Sequence, residues 1–134
     1  MTGDDLAFVR EHIEDYKAYD DQRTRSDSDM RIRAFVGPRL NAARERLGAE
    51  LDEATIKTLD DVLMHCMFSD QVFVRKFEHA RLDAPMTAAL VRSDRTLIEF
   101  GEAAAKATAA TFLELLVEID KQFEYRRAPE PLVP

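Results

Sequence analysis

The densest apolar pattern in the chain lies between Ile56 and Leu82, and it covers two sides of one predicted helix. At about 100° per residue, these apolar positions separate into two groups. The larger group forms a core stripe of Ile56, Leu59, Val62, Leu63, Cys66, Met67, Phe73, Val74, Phe77 and Ala80. The smaller group, on the opposite side, consists of Met64, Phe68 and Val72. A helix with two apolar sides is normally covered on both, by its own chain or by another subunit.

A polar pair, Ser69 and Asp70, interrupts the core stripe of this helix. A lone carboxylate is costly to bury, so the helix either breaks here, with Ser69 or Asp70 capping a new start, or continues with Asp70 meeting an internal partner. We therefore predict a helix over residues 53–82, and the pattern leaves open a break near 69–70.

Three further stretches have helical spacing of apolar residues, and no stretch shows the clear alternation of a strand. They predict helices over residues 4–23, 28–47 and 94–127, with a short extra helical segment near 86–91. The fold class that follows is all-α, an antiparallel four-helix bundle. Gly37-Pro38 predicts a kink or brief interruption in the second helix, and Gly48 ends it. Asp52 and Ser93-Asp94 are the predicted helix caps.

The length of 134 residues fits one domain, which we place at residues 1–127. Only 4 glycines and 5 prolines are present, which favours helices over turn-rich sheets. Three of those prolines fall in the last six positions, so residues 128–134 are predicted to form an extended tail.

Charge and cysteine content narrow the functional classes. The net charge of −7 argues against nucleic acid or an anionic membrane as the main partner. Cys66 is the only cysteine, the acidic N-terminus lacks a secretion-signal pattern, and no uncharged apolar run reaches membrane-spanning length. A cytoplasmic location is therefore expected.

The central helix also contains the residues best suited to hold a ligand or metal. Asp61 and His65 are four residues apart on one helix face, a spacing that can present two ligands to one ion. Cys66 could join them only by turning toward the other face, and Asp70 is a further polar contact for a ligand. The simpler interpretation is an amphipathic histidine beside a small core cysteine. No Glu-x-x-His pair of the di-iron type exists in the chain, and we predict no metal and no cofactor.

Arginines are concentrated in the second helix and just before it. Seven arginines and only three acids lie between Arg23 and Arg46, whereas seven acids precede Gln22. Two functions are open for this cluster. It can form ion pairs with the acidic first helix, or it can bind an anion or nucleic acid at one end of the bundle. The residues at that end are Arg23, Arg25, Arg31 and Arg33.

No nucleophile elbow, phosphate loop or two-cysteine motif is present, so catalysis has no support in the sequence. The leading hypothesis is a non-enzymatic protein that forms a homo-oligomer, most simply a dimer, or binds a protein partner. The apolar residues surplus to a bundle core are Phe8, Tyr19, Met64, Phe68 and Val72. The alternative is a sensory bundle that binds a small ligand or metal in a pocket beside the central helix. A nucleic-acid-associated role ranks third.

Overall fold

The computed structural model describes residues 2–67 and 81–127, and this part of the chain contains helices and turns but no strand. The all-α class is thereby confirmed for these residues. Within residues 2–67 and 81–127 there are five α-helices: α1 Thr2–His12, α2 Arg25–Leu47, α3 Glu53–Met67, α4 Ala84–Ala103 and α5 Ala109–Arg127. Three short 3-10 turns lie at Gln22–Thr24, Gly48–Glu50 and Ala104–Lys106. The predicted tail, 128–134, lies outside the described residues.

Four of the helices pack as neighbours around one core. Helix α2 contacts α3 and α4, while α5 contacts the same two helices from the other side. This order of neighbours is compatible with the predicted four-helix arrangement, and α1 packs against α4 as an additional element. The largest fully buried side chains are those of Tyr19, Ile32, Leu40, Leu59, Leu90, Leu97, Ile98, Phe112, Leu116, Ile119 and Phe123. None of the described helices is both long enough and apolar enough to cross a bilayer.

The first helix is shorter than predicted, because it ends at His12 and not at Arg23. The chain then turns through two non-glycine residues with positive φ, Asp15 at 60° and Ala18 at 57°. This turn carries Tyr16 and Tyr19 into the core, where both hydroxyls reach α4. A contact so distant in sequence is invisible to helical periodicity.

The second helix begins at Arg25, earlier than the predicted start at residue 28. Ser28 is buried within α2, and its hydroxyl donates to the backbone carbonyl of Ala18 at 2.8 Å. Of the kink or brief interruption predicted at Gly37-Pro38, the interruption is absent, because α2 continues through both residues. Its predicted end is confirmed: Gly48 follows Leu47 with a φ of 51°.

The start of α3 agrees with the prediction. Oδ1 of Asp52 accepts a hydrogen bond from the backbone N–H of Thr55 at 2.8 Å, which makes Asp52 the N-cap. The hydrogen bonds from the hydroxyl and the backbone N–H of Thr55 also lower the pKa of Asp52. The proposed break at Ser69-Asp70 lies outside the described residues, but Arg81–Asp83 are not helical, so the predicted helix end at Leu82 is wrong.

The last part of the chain forms two long helices, where the prediction had a short segment and one long helix. Asp83 caps α4 by accepting from the N–H of Met86, and α4 continues past the predicted cap at Ser93-Asp94. The break comes later, in the small-residue stretch, with a turn at Ala104–Lys106. Thr108 then caps α5 by exchanging hydrogen bonds with Thr111. Alanine and threonine provide no apolar periodicity strong enough to locate such a break.

Candidate functional site

His65 lies near the end of the described part of α3 and faces α5. Its ring meets the buried ring of Phe123 edge-on, with 6.0 Å between centroids. Leu59, Val62 and Leu63 are buried along the same helix and anchor it in the core. His65 is therefore held at the α3–α5 contact, half-buried and fixed on one side by an aromatic ring.

Two carboxylates of α5 approach His65. Asp120 and Glu124 are one turn apart, so their side chains lie on the same face of α5. Nδ1 of His65 and Oδ1 of Asp120 are 3.1 Å apart. One ligand atom from each of His65, Asp120 and Glu124 can be chosen so that all three lie within 4.8 Å of one another. An imidazole and two carboxylates thus converge on one point.

The two closest atoms of this cluster are screened from water. Nδ1 of His65 and Oδ1 of Asp120 are both buried, and neither has a hydrogen-bond partner in the structure. They lie in close contact without hydrogen-bond geometry. A buried polar atom that lacks a partner costs free energy, so both atoms are suited to accept a third group between them.

Arg33 of α2 fixes the backbone at this cluster. Its Nη1 donates to the backbone carbonyl of His65, and its Nε donates to Oδ2 of Asp29 at 2.7 Å. The guanidinium also lies 4.7 Å from the ring centroid of Phe123. Both Arg33 and Asp29 are buried, so this arginine, predicted as an anion ligand, serves the interior of the protein.

The other residues predicted to accompany His65 do not join it. Asp61 is exposed one turn earlier on α3. Cys66 packs against α2 beside Gly37, where an added Cβ would lie 3.3 Å from the Cβ of Cys66. Burial raises the pKa of the Cys66 thiol to about 12, as its apolar surroundings predict. Asp70 lies outside the described residues.

Sequence reasoning missed Asp120 and Glu124 as partners of His65. The available signal was weak: two acids, four residues apart, on either side of Phe123 in the apolar stripe of the last helix. Such acids are common on exposed helix faces. Only the packing of α5 against α3 distinguishes this pair from other acids.

The remaining arginines of the predicted anion site are separated by their individual contacts. Arg23 is exposed and pairs with Asp21 at 3.5 Å. Arg25 is buried and donates from Nε to the backbone carbonyl of Tyr19 at 2.9 Å. Arg31 donates to Asp27 within α2 at 2.7 Å. The structure therefore does not bring the four arginines together around one anion.

The expected pairing of the arginines with the acidic first helix also differs from the described ion pairs. Within α2, Arg33 pairs with Asp29, and Arg44 pairs with Asp60 of α3 at 3.2 Å. Asp5 of α1 pairs with Arg95 of α4 at 3.3 Å. Asp5 of α1 therefore pairs with arginines of α4, the helix on which α1 packs.

The predicted interface residues are divided between surface and core. Met64 is 55% exposed, as is Met67 at 65%, although Met67 was assigned to the core stripe. Tyr19 is instead completely buried within the chain. Phe8 is half-buried, with the guanidinium of Arg95 4.4 Å from its ring centroid. Phe68 and Val72 lie outside the described residues.

Comparison with protein-family models, with curated proteins and with solved structures gave no match. Only the residues of this chain therefore bear on its function.

Proposed function

We propose that this protein is non-enzymatic and forms a homodimer through the exposed face of α3. The observation that supports it is the pair Met64 and Met67, two large apolar side chains that are each more than half exposed. They are three residues apart and therefore neighbours on one helix face. We call this pair the α3 methionine face.

The exposed apolar surface is concentrated at this face. Among the described residues, four large apolar side chains are exposed: Met30, Met64, Met67 and Val117. Two of the four form the α3 methionine face, whereas Met30 lies on α2 and Val117 on α5. Phe68 and Val72 would extend the face by helical spacing in the sequence, although they lie outside the described residues.

A second copy of the chain is the simplest occupant of this face. A two-fold dimer needs only one self-complementary patch on each subunit, because the same residues meet across the axis. Methionine suits such a contact, since its unbranched thioether adapts to an irregular partner surface.

Two other functions, a small-ligand pocket and a nucleic-acid role, have less support. A pocket lined by the second apolar side of α3 would require Met64 to face inward, but Met64 is exposed. A nucleic-acid role at the predicted end of the bundle would require its four arginines to be accessible together, but Arg25 and Arg33 are buried and paired. We also keep a cytoplasmic location in this proposal, because the free thiol of Cys66 suits a reducing compartment.

Sedimentation velocity over a wide range of protein concentrations tests the dimer. We expect the wild type to sediment as a dimer at the upper end of the range, and the double variant Met64→Lys/Met67→Lys to remain monomeric. Met30→Lys is the matched control, because Met30 is 57% exposed on a different helix. It should dimerise normally, and circular dichroism should show that all variants retain wild-type helicity. A wild type that stays monomeric throughout, or a Met30→Lys variant as defective as the double variant, would refute the proposal.

A further inference from the structure

We infer that His65, Asp120 and Glu124 form a binding site for a divalent transition-metal ion, with Zn²⁺ as the best-suited ion. The inference is independent of the dimer, because all three residues belong to one chain and lie where α3 meets α5.

The geometry of the closest pair agrees with metal ligation. Zinc binds imidazole nitrogen and carboxylate oxygen at about 2.0–2.2 Å, so two ligands of a tetrahedral ion are separated by about 3.4 Å. Nδ1 of His65 and Oδ1 of Asp120 are separated by 3.1 Å. An oxygen of Glu124 lies within 4.8 Å of a ligand atom of His65 and of one of Asp120, and its longer side chain can close the remaining distance by rotation.

The burial of the two closest atoms also favours a bound ion. Nδ1 of His65 and Oδ1 of Asp120 are buried and lack hydrogen bonds in the described structure, although they are near each other. An ion between them would satisfy a lone pair of each. This observation separates His65 and Asp120 from an ordinary exposed group of acids, whose oxygens are satisfied by water, whereas Glu124 is itself exposed.

The surrounding charges leave the site suitable for a dication. Two carboxylates, those of Asp120 and Glu124, can offset the charge of one divalent ion. The nearby guanidinium of Arg33 is neutralised by Asp29, to which it donates at 2.7 Å. Arg33 also holds the His65 backbone and so helps to keep the imidazole in place.

The chemical class of the ion follows from the ligand set. One imidazole and two carboxylates suit borderline divalent ions better than soft ones such as Cu⁺, which prefer thiolates and thioethers. Cys66, the one thiol in the chain, packs toward α2 and does not join the cluster. Three protein ligands leave the fourth position of a tetrahedral ion for water or another small donor.

Isothermal titration of the metal-depleted full-length protein with Zn²⁺ tests the site. We expect one ion per chain in the wild type. The variants His65→Gln and Asp120→Asn should each weaken binding by more than about tenfold, since even outer-shell partners of metal ligands contribute that much. Two controls remove similar groups elsewhere: Asp61→Asn takes an exposed carboxylate from α3, and His12→Gln takes the imidazole that pairs with Glu102. Both controls should bind as the wild type does.

A second measurement keeps the inference testable if a variant fails to fold. Nitrogen-15 NMR of the wild-type imidazoles should show Zn²⁺ shifting Nδ1 of His65 and leaving both ring nitrogens of His12 unchanged. The absence of heat above the dilution control would overturn the inference. Three other results would also overturn it: wild-type affinity in His65→Gln, a loss of affinity in Asp61→Asn equal to that in His65→Gln, or an unshifted Nδ1 resonance of His65. A failure of the dimer test would leave each of these results unaffected.

Discussion

The hydroxyl of Tyr19 donates a hydrogen bond of 2.5 Å to Oδ2 of Asp94, and both residues are completely buried. The hydroxyl of Tyr16 donates to the same oxygen, also at 2.5 Å. These bonds connect the turn after α1 to the middle of α4. They explain why the chain leaves the helical conformation after His12, where periodicity alone predicted eleven more helical residues to Arg23.

Replacing Tyr19 by phenylalanine should destabilise the protein by about 1–3 kcal/mol, because Asp94 loses a buried donor while the ring volume is kept. The free energy of unfolding from urea titration measures this. Thr58→Val is the control, since its hydroxyl bonds only within α3, to the carbonyl of Ala54, on the exposed surface. It should change stability by less than about 0.5 kcal/mol.

Since Tyr16 and Tyr19 share Oδ2 of Asp94 as their acceptor, a further prediction concerns the effect of removing both hydroxyls. Because both hydroxyls reach Oδ2 of Asp94, the double variant Tyr16→Phe/Tyr19→Phe should lose more stability than the sum of the two single variants. Simple additivity would show that the two tyrosines act independently, contrary to the observed geometry.

Arg33 and Asp29 form a buried ion pair in which each group depends on the other. Replacing Arg33 by methionine should cost about 3–5 kcal/mol, because the carboxylate of Asp29 then remains buried without its main counter-charge. Arg33→Met/Asp29→Leu should recover much of that loss, since an apolar pair of similar size avoids the cost of a buried charge. Urea unfolding of the wild type and of these two variants measures both effects. A double variant as unstable as Arg33→Met would contradict this account.

The sequence was most informative where local chemistry determines structure. Gly48 ends α2 and Asp52 starts α3 as predicted, because a C′ glycine and an N-cap carboxylate act on their immediate neighbours. Predictions failed where contacts between residues far apart in the sequence determine the structure. Ser93-Asp94 has the composition of a cap, yet Asp94 is buried inside α4 because Tyr16 and Tyr19 reach it.

The candidate metal site likewise combines one residue that the sequence pattern indicates with partners that only helix packing brings close. His65 could be selected from the sequence, since a histidine beside a long apolar stripe is conspicuous. Its partners could not, because helical spacing relates it to Asp61 on the same helix, whereas Asp120 is brought close only by the packing of α5 against α3. Exposure of Met64 agrees with its place opposite the core stripe, but Met67 shows that a stripe residue can still be exposed near the end of a helix.

The thiol of Cys66 should make stability depend on alkaline pH. Burial raises its pKa in the folded protein to about 12, against 9.0 for an ordinary thiol. Between these values the unfolded chain loses the thiol proton and the folded chain keeps it, so ionisation favours unfolding as the pH rises. The Cys66 thiol contributes at most about 1.4 kcal/mol per pH unit to the slope of the free energy of unfolding against pH. This contribution falls to half near pH 9.0, the ordinary thiol pKa, and fades at lower pH because both states then keep the proton.

Two measurements check this prediction for Cys66. The free energy of unfolding, measured between pH 8 and pH 11, should fall less steeply in Cys66→Ala than in the wild type, because the range includes the ordinary thiol pKa of 9.0. Iodoacetamide at pH 9 should alkylate the native thiol far more slowly than the same thiol in denaturant. Equal alkylation rates would mean that the thiol is accessible and ionises normally.

Gly37 of α2 lies against Cys66 of α3, and its replacement by alanine should push the two helices apart. A helical glycine replaced by alanine normally gains up to about 1 kcal/mol of stability. At Gly37 the new methyl group would lie 3.3 Å from the Cβ of Cys66, which is attached directly to the α3 backbone and cannot rotate away. Overpacking of this kind costs about 1–3 kcal/mol, so Gly37→Ala should have no net gain or a net loss.

Gly3→Ala is the matched control for this substitution. Gly3 also lies in a helix, but a Cβ added there meets nothing within 4 Å, so the substitution should be neutral or stabilising. Urea unfolding should therefore place Gly37→Ala below Gly3→Ala in stability. The double variant Gly37→Ala/Cys66→Gly removes the opposing Cβ, and it should recover the packing cost apart from the helix propensity lost at residue 66. A gain in Gly37→Ala equal to that in Gly3→Ala would show that α2 and α3 are farther apart than the structure places them, and the position of His65 beside α5 would then have to be reconsidered.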